Sequence, residues 1–393
     1  MGTAEPPPGG TQTVMIVAGE ASGDLHGARL VAAMREQAPG LRFFGMGGAE
    51  MAAAGVELLF DAARIAVVGL TEVFSHLCDI LAARRLLTRE MRKRRPDLLV
   101  VIDFPDFNLM LAGRARKLGI PVLYYVSPQV WAWRSGRVKK IGRLADRIAV
   151  ILPFEKAFYA RRGVEVDFVG HPLMDSVTTT RTAAETRKAL GIGPEKTVIG
   201  ILPGSRTREI ITLLPDFLAA ARRLTVITDR EYVFLVPRAN TVSPELLADN
   251  GIDRYRGELD IRVSDSNRYD LMAACDAAIA ASGTVILELA MLGVPAVATY
   301  RVSPRTYFLG RMLTSLRHFT LVNLIGGRTI IPELLQDEVT PAGIARELAL
   351  ILDEPEVREK ILAGLAEVRE KLGKPGASRR AAGIALELMR GQP

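Results

Sequence analysis

A single carboxylate, Asp103, follows an apolar run that can place it at the end of a buried strand. This run is Leu98–Ile102, and a second run, Pro121–Val126, leads to Ser127 and a turn that contains Trp133. Ligands of open parallel sheets bind just outside the carboxyl ends of the strands. The two runs therefore predict one wall of a ligand-binding cleft. The alternative is that Asp103 only caps the following helix and that the tryptophans belong to the core.

A glycine-containing turn after the first strand is a candidate site for a sugar acceptor. It contains Gly19, Glu20, Ser22 and Asp24 and follows the apolar run Val14–Ala18. Glycine lets the backbone approach a ligand closely, and the start of the next helix offers unpaired N–H groups. A carboxylate inside the turn disfavours a pyrophosphate, so the turn is interpreted as an acceptor site. A tight turn without a ligand is the alternative.

Two further turns in the second half of the chain can hold phosphate. Gly204, Ser205 and Arg206 combine backbone N–H groups, a hydroxyl and a guanidinium fork before a helix, which suits phosphate oxygens. The other turn consists of Ser282, Gly283, Thr284 and, one helical turn later, Glu288. The carboxylate of Glu288 suits a pair of ribose hydroxyls. Together, the two turns predict a nucleoside diphosphate site in this half.

Short apolar runs alternate with helical stretches along most of the chain. This alternation predicts an α/β fold in which two Rossmann-like parallel-sheet domains face a central cleft, followed by a helical C-terminus. The predicted ranges are 11–180 and 190–340 for the two domains and 341–393 for the C-terminal helices. The predicted strands are Val14–Ala18, Arg42–Gly45, Leu98–Ile102, Val122–Tyr125, Ile148–Leu152, Val166–Val169, Thr197–Leu202, Tyr232–Val236, Ala277–Ala280 and Ala296–Thr299.

Composition excludes several classes of protein. The chain has 393 residues, 49% of them hydrophobic and 24% charged, which is ordinary for a folded protein with a substantial core. Two distant cysteines, Cys78 and Cys275, indicate a reducing compartment and no disulfide framework. The sequence contains no Walker A motif, no Asp-x-Asp and no His-x-x-x-His, so we expect no triphosphate hydrolysis, no metal and no cofactor.

One segment has the pattern of an interfacial membrane helix. Its apolar residues are Val68, Leu70, Val73, Phe74, Leu77 and Leu81, and seven Lys and Arg residues follow between positions 84 and 95. An apolar helical face with a polybasic end is typical of helices that lie on a membrane. A core-facing helix with a solvated basic end is the alternative. The chain has neither a signal peptide nor an 18-residue apolar span, so we expect a cytoplasmic or membrane-surface location.

Several motifs, in order, resemble those of the lipid-A-disaccharide synthases, glycosyltransferases of bacterial outer-membrane biogenesis. The resemblance runs from about Val14 to Gln336. The motifs that carry it are Gly19–Asp24, Asp103–Asn108, Tyr125–Arg134, Leu152–Glu155, Leu202–Arg206, Ser282–Thr284 with Glu288, and Asn323–Ile325. Two positions depart from the family pattern, since Phe104 stands where alanine is common and Pro172 follows His171 where threonine is common.

The resemblance implies a GT-B fold and an inverting transfer of a 2,3-diacylglucosamine unit. The donor would be UDP-2,3-diacylglucosamine and the acceptor 2,3-diacylglucosamine 1-phosphate (lipid X). The products would be a β-1,6-linked disaccharide 1-phosphate and UDP. The resemblance further implies peripheral attachment to the cytoplasmic face of the inner membrane and no nucleic-acid partner. Because some family members exchange C-terminal segments between two chains, a homodimer is also compatible with it.

Residue roles follow from the resemblance and from the chemistry of inversion, which needs a base and a sink for the charge of departing UDP. Asp103 is the expected base, and Arg206, with the N–H groups of the two phosphate turns, the expected clamp on UDP. Asn323 is expected to orient the donor. The alternatives left open are a MurG-like transferase, a UDP-N-acetylglucosamine 2-epimerase, and a non-catalytic membrane-bound sensor of UDP-sugars.

Overall fold

The computed structural model describes residues 12–65, 77–133, 135–303, 307 and 317–391. The chain divides into two compact units. The first unit is formed by the described parts of 1–174 and 373–393, and the second by those of 175–372. Each unit is built on its own sheet.

The first unit contains, within the described residues, a seven-stranded parallel sheet in the order β3-β2-β1-β4-β5-β6-β7. Its strands are β1 Thr13–Ala18, β2 Arg42–Gly47, β3 Glu57–Asp61, β4 Leu98–Ile102, β5 Val122–Tyr125, β6 Arg147–Val150 and β7 Asp167–Phe168. Its first seven helices are α1 Ala21–Gln37, α2 Ala49–Ala53, α3 Leu77–Arg94, α4 Pro105–Lys117, α5 Val130–Trp133, α6 Val138–Leu144 and α7 Pro153–Ala160. The order of the strands reverses between β1 and β4, where ligand sites of doubly wound sheets lie.

The central strands of this sheet are buried on both faces. Every residue of β4 and of β5 is buried, because helices cover the two sides of a parallel sheet. The register pairs Ala18 at the end of β1 with Ile102 at the end of β4, and Ile102 with Tyr125 at the end of β5. Three neighbouring strands thus end at one level, and the turns that follow them lie side by side.

The second unit contains, in its described part, a six-stranded parallel sheet in the order β10-β9-β8-β11-β12-β13. Its strands are β8 Thr197–Leu202, β9 Tyr232–Pro237, β10 Ile261–Ser264, β11 Ala277–Ala281, β12 Ala296–Tyr300 and β13 Glu333–Leu335. Its helices are α8 Ala183–Ala189, α9 Thr207–Ile227, α10 Pro244–Asp249, α11 Ile252–Arg256, α12 Arg268–Ala273, α13 Thr284–Met291, α14 Leu321–Gly326, α15 Pro341–Asp353 and α16 Pro355–Lys371. The strands β8 and β11 are adjacent, so the two turns expected to hold phosphate follow neighbouring strands.

The last described helix, α17 Ala377–Met389, belongs to the first unit. It packs on α1, and Arg380 Nε donates a 2.8 Å hydrogen bond to the carbonyl of Val169. The helices α15 and α16 stay in the second unit. The range 341–393, predicted as one helical segment, is therefore divided between the two units after Leu372.

Short 3-10 turns complete the described secondary structure at Ala62–Arg64, Ser135–Arg137, Pro172–Asp175 and Gln336–Glu338. Helix α15 begins where the sequence predicts, because Thr340 Oγ1 accepts a hydrogen bond of 3.0 Å from the N–H of Gly343 and Pro341 occupies the first helical position. Among the described helices, none has both the length and the apolar character needed to cross a bilayer.

Candidate active site

The corner between β4 and α4 has an unusual backbone. Asp103 and Phe104 both have positive φ angles, 45° and 43°, and Val126 at the end of the neighbouring strand has a φ of 56°. Left-handed backbone is uncommon for residues other than glycine and is sterically costly for Val and Phe. Strained residues of this kind persist only where surrounding contacts hold them, and they concentrate at functional sites.

Hydrogen bonds from two side chains hold this corner. Asn108 Nδ2 donates to the carbonyl oxygens of Ile102, at 3.0 Å, and Asp103, at 2.8 Å. The hydroxyl of Tyr124 donates to the Asp103 carbonyl at 2.7 Å, and the Asp103 N–H donates to the carbonyl of Val126 at 3.1 Å. The backbone on both sides of the Asp103 side chain is therefore positioned before any substrate arrives. The sequence did not single out Tyr124, and Asn108 appeared only inside a motif.

The Asp103 carboxyl has the acid–base properties of a base that works near neutral pH. Its pKa is raised to about 6, chiefly by burial and further by the negative charge of Glu20, while the N–H of Phe104 opposes the shift. A carboxylate with a pKa close to the working pH accepts a proton more readily than one with an ordinary pKa near 4. The structure thus brings Asp103 and Glu20, predicted from separate motifs, into electrostatic contact.

The turn after β1 approaches the Asp103 corner closely at Gly19. A Cβ atom on Gly19 would lie 2.4 Å from the ring of Phe104, so only glycine leaves room for this ring. Glu20 and Ser22 are exposed at the start of α1. These two side chains remain accessible to a ligand beside the corner.

Asp24 is engaged with the protein backbone. Its buried carboxylate accepts hydrogen bonds from the N–H groups of Gly48 at 2.6 Å, Glu50 at 3.0 Å and Met51 at 3.1 Å. These contacts cap the start of α2 and tie the turn after β2 to the turn after β1. Asp24 therefore shapes this region by holding two loops together.

Ser127 also faces the protein interior. Its hydroxyl is buried and forms a short hydrogen bond with the hydroxyl of Tyr159. The side chain of Trp133 lies outside the described residues. The other tryptophan, Trp131, packs edge-to-face on Phe154 with ring centroids 5.0 Å apart. Trp131 and Phe154 are both half-buried, so this part of the aromatic turn packs on α7.

Another carboxyl, that of Glu155, is buried and lies close enough to Asp103 for the charge of Asp103 to raise its pKa. Burial raises the pKa of Glu155 to about 8, although the N–H groups of Leu152 and Ile151 oppose the shift. Its carboxyl accepts a hydrogen bond of 3.0 Å from the N–H of Leu152. At neutral pH this group is mostly protonated, so it adds little negative charge next to the candidate base. The motif Leu152–Glu155 indicated this residue without a role.

In the second unit, the phosphate turn after β8 is occupied by an internal carboxylate. Gly204 has a φ of 116°, which favours glycine. Glu209 Oε2 accepts hydrogen bonds from the N–H groups of Ser205, at 3.0 Å, and Arg206, at 3.2 Å, and Oε1 lies 3.3 Å from Arg206 Nη1. An anion therefore already sits on the N–H groups and the guanidinium that the sequence assigned to phosphate. The guanidinium is otherwise exposed.

The second phosphate turn has an open start and a buried carboxylate. Gly283 and Thr284 are exposed before α13, and Ser282 is half-buried. Glu288 is buried on α13, and Arg268 Nη2 donates a short hydrogen bond to its carboxylate. Burial raises the pKa of Glu288, and Arg268 opposes the shift. Arg268 is a site candidate that the sequence did not reveal, because it lies 20 residues from Glu288 on another helix.

Asn323 is fully buried and bound to the protein backbone. Its Oδ1 accepts hydrogen bonds from the N–H groups of Ile330, at 2.7 Å, and Ile331, at 3.1 Å, and its Nδ2 donates to the carbonyl of Ile331 at 2.9 Å. In this structure the amide holds the segment that leads into β13. Through these contacts the amide is tied to the backbone of Ile330 and Ile331, and its expected role in orienting the donor stays a prediction.

The structure describes only part of the segment that was predicted to lie on a membrane. Val68, Leu70, Val73 and Phe74 lie outside the described residues, as does the side chain of Leu77. Leu81 is half-buried on α3. Within the described part of the chain, no group of three or more His, Cys, Asp or Glu side chains is arranged to hold a metal ion.

Comparison with solved structures defines the class of protein. The fold resembles MurG of Acinetobacter baumannii (TM-score 0.61, 16% identity, 96% of this chain and 99% of that chain). It also resembles the calicheamicin glycosyltransferase CalG4 (TM-score 0.60, 15% identity, 98% and 100% covered) and a UDP-GlcNAc 2-epimerase from Neisseria meningitidis (TM-score 0.62, 14% identity, 96% and 99% covered). Two Rossmann-like parallel-sheet domains with these neighbours define the GT-B class.

Sequence comparison narrows the class to one family. The family model described as lipid-A-disaccharide synthetase matches residues 14–387. The lipid-A-disaccharide synthase of Syntrophus aciditrophicus is 49% identical over 387 residues, covering 97% of this chain and 98% of the relative. That of Geobacter metallireducens is 48% identical over 391 residues, covering 99% of both. The chain belongs to the lipid-A-disaccharide synthase family of glycosyltransferases.

Proposed function

We propose that the protein transfers the 2,3-diacylglucosamine unit of UDP-2,3-diacylglucosamine to the 6-hydroxyl of lipid X. The products are the β-1,6-linked disaccharide 1-phosphate and UDP. Membership of the family over residues 14–387 supports this reaction over those of the MurG-like transferases and the epimerases, with which the chain shares only the fold.

The observation that carries the proposal is the positioned carboxyl of Asp103, with a pKa of about 6. In the proposed step Asp103 accepts the proton of the acceptor 6-hydroxyl. The hydroxyl oxygen forms a bond to the anomeric carbon of the donor as the bond from that carbon to the diphosphate breaks. The electron pair leaves with UDP, and attack from the opposite side inverts the configuration.

The departing diphosphate needs positive charge and N–H donors. We assign these to Arg206, the N–H groups of Ser205 and Arg206, and the exposed start of α13 at Gly283 and Thr284. Preorganised donors of this kind stabilise the charge that develops on a leaving group. Glu209 now accepts from the same N–H groups, so a bound diphosphate replaces its carboxylate there.

We assign the ribose hydroxyls to Glu288. Its carboxylate is kept in place by Arg268, and an ionised carboxylate accepts hydrogen bonds from hydroxyl groups strongly. Asn323 is assigned a positioning role through its contacts with Ile330 and Ile331. On the acceptor side, Gly19, Glu20 and Ser22 border the Asp103 corner, whereas Asp24 and Ser127 support it from within.

The test is to incubate the protein with UDP-2,3-diacylglucosamine and lipid X in detergent and to identify the products by mass. We expect the disaccharide 1-phosphate and UDP in equal amounts. Asp103→Asn abolishes most product, while Asp106→Asn, a change at an exposed carboxylate three residues away, leaves it largely intact. Conversion of UDP-N-acetylglucosamine in place of the acylated donor would favour an epimerase or a MurG-like transferase. Binding of the acylated donor without any product would favour a sensor.

We propose further that the protein is peripherally attached to the cytoplasmic face of the inner membrane, where acylated substrates reside, and that it forms a homodimer. The apolar residues between 68 and 81 and the following basic helix α3 support the first proposal. Sedimentation equilibrium of the purified chain tests the second. A monomer at all concentrations would refute it.

A further inference from the structure

A strongly cationic cavity lies between α3 and α4, outside the candidate active site. Its volume is about 490 Å³, and its walls include Arg84, Arg85, Arg92 and Lys93 from α3 and Arg114 from α4. The lining also contains the buried Thr88 and the basic Arg89, and none of the described lining residues is acidic. A cavity lined by so many cations and no carboxylate creates a positive potential that attracts anions.

Three cations of this cavity differ from other basic residues of α3, among which Arg89 lies 3.3 Å from the carboxylate of Glu90. Arg94, the last residue of α3, forms a bidentate ion pair with Glu57 at 2.7 Å and also donates a hydrogen bond to Glu90 at 3.1 Å. Arg85, Arg92 and Arg114, in contrast, form no ion pair with any carboxylate in the described part of the chain. Three exposed guanidinium groups are thus left available around one space.

The cavity continues into a second space along α4. This space of about 320 Å³ shares Arg84, Thr88 and Arg114 with the cationic cavity, and it adds the lysines Lys117 and Lys140, the backbone of Gly113 and the apolar side chains of Leu109, Met110 and Leu144. Met110 is 40% exposed, so its side chain offers apolar surface to this space. We call the two spaces together the α3–α4 groove. The first space is lined by cations and Thr88, and the second combines cations with apolar side chains, so the groove suits an anionic headgroup with attached hydrocarbon.

The groove is distinct from the Asp103 corner. The basic end of α3 leads into the start of β4, whereas Asp103 follows the end of β4. A strand of this length separates its two ends by about 13–17 Å. The end of the groove formed by Arg92 and Lys93 therefore lies toward the amino ends of the strands, whereas Leu109 and Met110 line it from the first turns of α4.

We propose that the α3–α4 groove binds an anionic glycerophospholipid, with the headgroup phosphate among Arg85, Arg92 and Arg114 and the first acyl carbons against Leu109, Met110 and Leu144. Arginine matches phosphate oxygens with a planar pair of N–H donors. The sequence position of α3, directly after the apolar residues 68–74, is consistent with a membrane occupant. The inference rests on the proposed membrane attachment and is independent of the proposed glycosyl transfer.

Nucleic acid fits the groove less well. Proteins that bind single strands combine a basic groove with aromatic side chains on which bases stack. No aromatic residue is among the groove's lining residues in the described chain. The apolar end also has no partner in a sugar–phosphate backbone, whereas a phospholipid supplies both parts.

The first test removes charge. The full chain is mixed with vesicles of phosphatidylcholine containing phosphatidylglycerol, and binding is measured by flotation. Arg85→Gln, Arg92→Gln and Arg114→Gln together should weaken binding by about tenfold or more at low salt. The matched control exchanges three other exposed basic residues of the first unit, Lys156, Arg161 and Arg379, for Gln. The control should lose about threefold or less, and an equal loss in both would overturn the groove in favour of diffuse attraction.

The second test fills the groove without changing any charge. A Cβ on Gly113 would meet only Leu144, at 3.9 Å, and Gly113 lies within α4 and lines the groove, so the side chain of Gly113→Leu starts without a clash at Cβ. We expect this variant to keep its melting temperature and to bind short-chain phosphatidylglycerol about fivefold or more weakly. Wild-type affinity in Gly113→Leu would refute an acyl contact in the groove.

Competition identifies the source of the phosphate. Short-chain phosphatidylglycerol should displace the protein from vesicles, while inorganic phosphate and short-chain phosphatidylcholine should not at equal concentration. If inorganic phosphate alone displaced the protein, the groove would be a general anion site. If lipid X displaced it selectively, the groove would be a substrate site. Tight binding of an RNA oligonucleotide that is lost in the Arg85, Arg92 and Arg114 variant would assign it to nucleic acid. Turnover of detergent-dispersed substrates should stay normal in every variant, which separates this inference from the proposed reaction.

Discussion

At Asp103, burial and the nearby charge of Glu20 act on the same carboxyl, and both raise its pKa. A base is active only when it is deprotonated, so turnover should rise with pH through about 6 and level off above it. The protein tolerates this environment because Asn108 and Tyr124 hold the backbone of the corner. The folded structure thus holds the Asp103 carboxyl in an environment that disfavours its ionised form relative to water.

The first prediction concerns this base. Asp103→Asn should lower turnover by about 10²–10⁴-fold while UDP binding persists, since the amide keeps the shape and loses the proton acceptor. The raised pKa also means that the ionised carboxyl destabilises the fold as pH increases from about 4 to above 6. Asp103→Asn should therefore raise stability at pH 8 by about 1–3 kcal/mol, measured by urea denaturation.

The expected pH dependence of turnover is tested with a variant of Glu20 and a control variant of Ser22. In Glu20→Gln the negative charge beside Asp103 is absent, so the acidic limb of the kcat/KM profile should move to lower pH by about half a unit to one unit. Ser22→Ala, on the same turn, should leave the limb where it is. An unmoved limb in Glu20→Gln, or near-normal turnover in Asp103→Asn, would transfer the role of base to another group.

The second prediction concerns Arg206 and Glu209, which share one hydrogen-bonded cluster. Arg206→Ala should weaken UDP binding and slow transfer, because the guanidinium contacts phosphate in both ground and transition states. Glu209→Ala should instead tighten UDP binding by about three- to tenfold, because it removes the internal anion from the N–H groups. Isothermal titration calorimetry measures both.

Two further results would contradict this picture of the donor site. Weaker UDP binding in Glu209→Ala would show that the carboxylate supports the site. We also expect activity to persist in EDTA, since UDP is assigned to Arg206 and backbone N–H groups. A strict requirement for Mg²⁺ would place a metal where we place Arg206.

At the scale of elements, the turn after β1 and the corner after β4 depend on each other. Phe104 is the residue after the candidate base, and its ring occupies the space that a side chain at position 19 would need. The strands β1 and β4 are paired in register, so a clash between their turns cannot be relieved by sliding one strand. The position of the base is thus coupled to the size of the residue at position 19.

The third prediction tests this coupling. Gly19→Ala should lower turnover by about tenfold or more, because the new Cβ displaces Phe104 and with it the backbone of Asp103. Phe104→Ala alone should have a smaller effect, and the double variant should regain most of the lost activity. Kinetics of the four proteins complete the cycle. Strictly additive losses would show that the two turns act independently.

At the scale of the whole molecule, the fourth prediction concerns membrane attachment. Val73→Ser, Phe74→Ser and Leu77→Ser together should reduce vesicle binding more than high salt does, because salt screens only the charged part of the attraction. The variant should lose more turnover with membrane-embedded substrates than with detergent-dispersed ones. Vesicle flotation and the two assays measure these effects.

A thermal melt distinguishes the alternative. If the three residues were packed in the core, the serine variant would lose about 1.5–3 kcal/mol at each position and melt far below the wild type. Leu87→Ser, a change at a fully buried residue of α3, supplies that comparison. A melting temperature as low as that of Leu87→Ser would show that the segment is packed in the core. A wild-type melting temperature together with weaker vesicle binding would support a membrane-facing segment.

Much of this architecture could be predicted from the sequence because its signals are local. A run such as Leu98–Ile102 is apolar at every position, as a strand buried on both faces must be, and the glycine turns follow such runs directly. The three strands that were missed, β3, β10 and β13, lie at the edges of their sheets and are only partly buried. An edge strand needs no continuous apolar run, so composition does not reveal it.

The partners of the site residues were decided only by tertiary structure. Residue type marked Asp24, Glu288 and Asn323 as polar groups near strand ends, and it could not say whether each faced a ligand or a loop. The fold brings Gly48 to Asp24 and Arg268 to Glu288 across 24 and 20 residues. Such contacts depend on which turns meet in space, and a hydrogen bond forms with whatever donor arrives there. The sequence alone therefore determined the strands, the turns and the chemistry available, and the packing of the turns determined which groups remain free for substrate.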